Sequence, residues 1–303
     1  MTSSRRLLDQ YRGVMLGMAA GDALGATVEF QPPDQIAANY GVHRAIVGGG
    51  WLGLAPGEIT DDTQMALCIA RSIVERGRFD PGDIAARFVE WFGSNPKDIG
   101  NTTRHALELL DAGVQWEEAG RLTHEAMKPR DASNGSIMRC APVALATRDD
   151  PLENARCSAD SSRITHANPL CVDACVTVNA AIAVLLARPD ADPIAAAASA
   201  ATLDEVRAAV EAAREAIPAT LPAGGYVLET LTAALWAVTH HDSPEDAIVA
   251  AVNLGNDADT TGAVAGALAG ARWGAEALPA RWRDVLVDRD ELTRVADALL
   301  ALR

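Results

Sequence analysis

The segment "NDADTTGAVAGALAGA" (256–271) sets Gly262, Gly266 and Gly270 at four-residue intervals directly behind Asp257 and Asp259. Residues four apart share one face of an α-helix. Glycine inside a helix costs about 1 kcal/mol relative to alanine, so three on one face make sense only where another backbone must come close. The spacing predicts a central helix packed tightly on a neighbour, with two carboxylates at the edge of the core. The stretch "GEITDDTQMALCIARSI" (57–73) makes a similar arrangement: Asp61 and Asp62 open a helix in which Met65, Cys68, Ile69 and Ile73 recur at three- and four-residue steps. Thr60 and Asp61 are its N-cap candidates.

Helical spacing continues along the chain. Segments 9–25, 60–76, 81–93, 101–113, 115–127, 140–148, 151–160, 169–187, 193–201, 203–216, 226–240, 244–254, 260–272 and 290–302 read as helices, the first ending in a "GDALG" turn. Aromatic residues make up only 4% of the chain, which favours close-packed helices over a β-sandwich. Only "HRAIVGG" (43–49) has strand character. "PDADP" (189–193) and "PATLPAGG" (218–225) read as loops, and no repeat or low-complexity linker divides the chain. The expectation is one all-α domain over residues 1–303.

The formal net charge of −15 argues against a partner bound through its phosphate backbone, so no nucleic acid is expected. The five cysteines (68, 140, 157, 171 and 175) form no CxxC pair, and their odd number points to thiols in a reducing, cytoplasmic compartment. The start "MTSSRRLLDQYRG" lacks a signal-peptide core. The apolar stretch 174–187 is short for a bilayer and carries Asn179, so no membrane span is expected.

Carboxylates packed together repel unless a proton or cation separates them. A set of carboxylates and threonine hydroxyls suits a hard ion such as Mg²⁺ or Mn²⁺ rather than Zn²⁺. A calcium loop starting at Asp257 fails, because its twelfth position is Leu268 instead of a bidentate Glu. Four carboxylates from two distant segments can instead hold two ions that activate water and clamp substrate oxygens. "GGGWLG" (48–53) is followed by "LAPGE" instead of a helix, which argues against a dinucleotide fold. His105, His124, His240 and His241 lie in ordinary helical surroundings. His166, in "RITHANP" (163–169), stands in a loop that a ligand can meet, and "SNGSIMRCAPVAL" (133–145) puts Asn134, Gly135 and Ser136 ahead of an apolar helix, a plausible phosphate seat.

These stretches together resemble the ADP-ribosylglycohydrolase family, and within it the branch that reactivates dinitrogenase reductase. The matching pieces are "GMAAGDALGATVEF" (17–30), "GEITDDTQMAL" (57–67), "PKDIGNTT" (96–103), "NGSIMRCAP" (134–142), "ITHANP" (164–169), "GGYVLETL" (224–231) and "GNDADTTGAVAGALAGA" (255–271), in the family's order over nearly the whole chain. The resemblance implies a compact, single-domain, all-α orthogonal helical bundle with two divalent cations, Mg²⁺ or Mn²⁺, in a cleft. It maps the metal ligands onto Thr60, Asp61, Asp62, Asp257, Asp259 and Thr260, with Asp61 and Asp259 also taking part in catalysis. Asp98 matches the carboxylate that faces the leaving guanidinium, and Glu29 one that positions water or gates entry. Gly100, Asn134, Gly135, Ser136, Met138, His166 and Tyr226 map to ADP-ribose contacts. The implied reaction hydrolyses the bond between ADP-ribose and an arginine side chain of a modified protein, whose identity the sequence does not name. The alternatives are an ADP-ribosyl-serine or small-molecule linkage, or a non-catalytic relative.

Overall fold

The computed structural model describes residues 3–302, and every regular element among them is a helix. The chain opens with α1 (Ser3–Gly25) and α2 (Pro33–Tyr40), and a glycine-rich loop leads to α3 (Asp61–Arg76). Then come α4 (Pro81–Gly93), α5 (Asn101–Asp111) and α6 (Trp116–Met127). A 3₁₀ turn at Ile137–Arg139 precedes α7 (Ala141–Thr147), α8 (Pro151–Arg163) and α9 (Pro169–Ala187). The remainder is α10 (Pro193–Ala200), α11 (Asp204–Ala212), a 3₁₀ turn at Pro218–Thr220, α12 (Val227–Thr239), α13 (Pro244–Val252), α14 (Ala258–Trp273), α15 (Ala280–Val285) and α16 (Arg289–Ala301).

Helix starts follow local chemistry. α4, α8, α9, α10 and α13 each open on a proline behind an acidic, amide or hydroxyl residue. Asp80, Asp150, Asn168, Asp192 and Ser243 accept a first-turn backbone N–H through their side chains. α3 and α14 do not: neither Thr60 nor Asp257 caps its own helix through its side chain.

α1 and α14 form the central pair. Gly13, Gly17, Gly21 and Gly25 of α1 lie antiparallel against Gly270, Gly266, Gly262 and Ala258 of α14, and a methyl on any of the seven glycines would overlap the partner's backbone carbonyl. The two helices therefore meet backbone to backbone, as the spacing in 262–270 predicts. α14 is buried from Ala258 to Ala271. Its flanks are covered by α9, α12 and α13.

Several expectations change. Residues 43–49 form no strand; the segment carries only an isolated bridge from Gly49 to Leu54. α2 and α15 were not foreseen, because each buries a single large apolar residue, Ile36 and Trp282, and so lacks a periodic stripe. The "GDALG" stretch continues α1 as helix instead of turning. The helix expected over 169–187 forms with those bounds, but it is not short for a bilayer: at 19 residues, with mean hydropathy 2.2 over its most apolar window, it has the length and composition of a membrane span. In this fold 61% of that window is buried, against α8, α10 and α14 among others.

Candidate active site

The glycine seam ends where the acidic residues gather. Asp22, on α1, is fully buried and reaches the open start of α3. Its carboxylate accepts from Thr60 N at 3.1 Å, Thr60 Oγ1 at 2.9 Å, Thr63 N at 3.2 Å and Thr63 Oγ1 at 2.5 Å. The cap that α3 lacks in its own sequence is thus supplied by another helix. Burial pushes the Asp22 carboxyl up to about 6, with these four donors pulling against it. The sequence reading passed over Asp22. Its signal was an isolated acid within a helical run of small and apolar residues.

The starts of α3 and α14 meet. Asp62 Oδ2 accepts from Thr60 Oγ1 at 3.3 Å and, at the outer limit of a hydrogen bond, from Thr260 Oγ1 at 3.5 Å. Asp61, Asp62, Asp259 and Thr260 are buried, whereas Asp257 is half-buried. Burial, followed by the mutual repulsion of neighbouring carboxylates, raises Asp61, Asp62 and Asp259 well above the usual carboxylate range. Among the described residues no ion pair reaches any of them. Asp62 Oδ1 is buried with no hydrogen-bond partner.

An orphaned carboxylate oxygen within a crowd of acids is what a hard divalent ion corrects, and the donor set is oxygen throughout. The residues fit Mg²⁺ or Mn²⁺. The closest three-carboxylate group, however, is Glu29, Asp98 and Asp259, each with an oxygen within 4.8 Å of the others. All three are residues expected from the sequence to take part in catalysis, and Asp259 is also an expected metal ligand. They share one basin with the α3 and α14 residues, since Asp98, Glu29 and Asp257 all contribute to the repulsion at Asp61.

Glu29 and Asp98 complete the basin. Burial pushes Glu29 up to about 8, while the indole of Trp51, donating Nε1–H to Glu29 Oε2 at 2.6 Å, pulls the other way. Half-buried Asp98 is also raised by burial, with Asp257 adding repulsion. Trp51 comes from the glycine loop 48–53 and was not singled out from sequence; a lone tryptophan between glycines was its only mark.

On the other flank, Asn134 donates Nδ2–H to Asp257 Oδ2 at 3.1 Å and to Thr230 Oγ1 at 2.9 Å. The 133–136 turn leads into the 3₁₀ turn rather than directly into an α-helix. Ser136 points inward, accepting from Ser162 Oγ at 2.9 Å, and Met138 is buried. Gly135 lies over the His166 ring, where a side chain would collide with Cε1 and Nε2. His166 is buried beneath the turn. Its Nδ1 pairs with Thr165 Oγ1 at 2.7 Å and its Nε2 with Ser133 Oγ at 3.0 Å. Burial and the nearby Arg139 guanidinium hold it well below its ordinary value, so a neutral His166 supports the turn from below. Tyr226 is exposed beside Ser133, and Gly100 is exposed at the start of α5.

The family model for ADP-ribosylglycohydrolase matches residues 3–303. The chain is 39% identical over 299 residues to ADP-ribosyl-[dinitrogen reductase] glycohydrolase of Rhodospirillum rubrum, covering 97% of this chain and 96% of the relative. It is 35% identical to ADP-ribosylarginine hydrolase Tri1 of Serratia proteamaculans (strain 568), covering 96% of this chain and 79% of that one. A solved structure titled "ADP-ribosylglycohydrolase-related protein complex" superposes with a TM-score of 0.84 at 36% identity, over 98% of this chain and 99% of the other.

Proposed function

The chain belongs to the ADP-ribosylglycohydrolase family, and from that premise we propose that it is a divalent-metal-dependent hydrolase releasing ADP-ribose from arginine side chains of modified proteins. The observation that carries the metal requirement is the orphaned Asp62 Oδ1 inside a basin of carboxylates that, among the described residues, no basic side chain pairs with. The arginine linkage is supported by the names of the relatives and by a half-buried carboxylate, Asp98, suited to a cationic leaving group. Five free, buried cysteines support a reducing, cytoplasmic setting.

Thr60, Asp61, Asp62, Asp257, Asp259 and Thr260 would hold the ions. When bound, Mg²⁺ or Mn²⁺ supplies the positive charge that neutralises these acids and fixes ribose hydroxyls. Asp98 accepts hydrogen bonds from the guanidinium and orients the bond to be broken. Glu29, held at Oε2 by Trp51 and ionised when the cations are bound, would take a proton from the water that adds to C1″ and return it to the departing arginine nitrogen. As the C1″–N bond lengthens, the ribose gains oxocarbenium character, and the surrounding anionic oxygens stabilise it. Asn134, held by Thr230, and the turn above His166 form the flank on which the nucleotide lies.

The test is a panel of ADP-ribosyl linkages to arginine, serine and acetate, each with Mn²⁺ or Mg²⁺. Release from arginine alone is expected. Release from serine with none from arginine would reassign the linkage, and no release from any substrate would defeat the enzyme reading.

A further inference from the structure

Two aromatic rings at the edge of the acidic basin serve no purpose in the core. Phe30 is 65% exposed and Trp51 55% exposed, and their rings lie 5.5 Å apart at 45°. Water disfavours such a pair, and the chain goes further to keep it there. Phe30 has φ 62, a left-handed conformation that a bulky L-residue avoids. It is fixed by Phe30 N donating to Asn256 O at 2.6 Å and Asn256 N donating to Gln31 O at 2.8 Å, so it is tied to the residue just before Asp257. Trp51 sits on a loop whose Gly48, Gly49, Gly50 and Gly53 all have positive φ, with Gly50 pressed onto the Ala26 carbonyl. Both rings are therefore presented to solvent by fixed backbone. Trp51 is joined directly to Glu29 of the basin.

We propose that the Phe30–Trp51 pair is the platform on which the polypeptide carrying the modified arginine docks. This rests on the hydrolase reading above and names the recognition it requires. The occupant is a protein segment with basic residues flanking the arginine. Charge selects it over the nucleotide: Glu29 and Asp98, which lie outside the ligand set proposed for the ions, keep this edge acidic when the ions are bound, which repels a pyrophosphate and attracts guanidinium and ammonium groups. Aromatic faces beside carboxylates bind such cations through the ring quadrupole and bury aliphatic stems. The platform is also continuous with the basin, since the backbone of Phe30 is bonded to Asn256 and the side chain of Trp51 to Glu29.

The experiment compares an arginine-ADP-ribosylated protein with free ADP-ribosylarginine, which has no flanking polypeptide. Phe30→Asn and Phe30→Gly both tolerate the left-handed backbone and remove the ring. Each should lower kcat/KM about tenfold on the protein substrate. On free ADP-ribosylarginine each should stay within about twofold, as exposed substitutions usually do. Equal losses on both substrates, no loss on either, or unfolding of both variants would each overturn the platform. Wild-type activity on the two substrates is the control: if the wild type cleaves neither, the hydrolase reading fails and the platform falls with it. If it cleaves both and the variants do not discriminate, only the platform fails.

Discussion

The seam between α1 and α14 and the basin at its end are built on opposite principles from the same two helices. Along the seam, seven glycines remove side chains until backbone touches backbone, and every position is filled. At the basin, the same helices present Asp22, Asp257 and Asp259 to Asp61 and Asp62, so that buried like charges repel and one oxygen is left unpartnered. The seam stabilises the fold, and the basin costs it stability, a cost that the proposed cations would relieve. A strained site held by a rigid scaffold is the arrangement expected of catalysis. It follows that substitutions in the seam and in the basin should act with opposite sign on stability.

The largest effect is expected in the seam. Gly266→Val puts a branched side chain against the carbonyl of Gly17, where backbone cannot yield, and should cost at least about 3 kcal/mol. Urea unfolding should then show a lowered midpoint or no folded baseline; a midpoint like the wild type's would mean that the helices can part. In the basin, Asp62→Asn removes one of the mutually repelling charges. The metal-free protein should gain about 1 kcal/mol. Turnover should fall at least about 100-fold, because even outer partners of metal ligands have effects of that size. A variant that loses stability as well as activity would show Asp62 to be a structural cap.

A smaller effect distinguishes the two kinds of acid within the basin. Asp98→Asn should lower kcat on arginine substrates about 30-fold, the scale for losing one member of a buried charge pair, while bound metal is retained. Loss of metal instead would make Asp98 a ligand, as its closeness to Glu29 and Asp259 permits. The smallest expected change is in pH dependence. Glu29 is pushed up to about 8 from an ordinary 4.5, and Asp22 up to about 6 from 3.8, so the folded, metal-free chain binds more protons than the unfolded one between roughly pH 4 and 8. Its stability must fall as pH rises through that window. Calorimetry in chelator should show Tm dropping by about 5 °C from pH 5 to pH 8. Adding Mn²⁺ should flatten that slope. A Tm that rises with pH without metal would contradict the crowding.

What the sequence disclosed and withheld divides along the same line. Features written in neighbouring residues were legible: the helix periods, the proline-led starts after Asp80 or Asp192, and the acidic pairs at 61–62 and 257–259. The spacing of Gly262, Gly266 and Gly270 announced a close partner without naming α1, because a partner 250 residues away leaves no local trace. Asp22 was missed for that reason, as its donors lie 38 and 41 residues distant. Trp51 and Glu29, 22 residues apart, form a bond that no periodicity encodes. His166 was placed in a loop open to ligand; only the packing of Gly135 and Ser133 over it shows that it lies beneath the turn.

Two divalent cations are proposed to complete the basin. The direct test is to strip the chain with chelator, titrate Mn²⁺ back, and follow bound ion by electron paramagnetic resonance alongside ADP-ribose release from an arginine-modified protein. No release is expected from the stripped chain, with activity rising in step with occupancy and levelling at two ions per chain. Undiminished release from protein shown to be free of metal would contradict it.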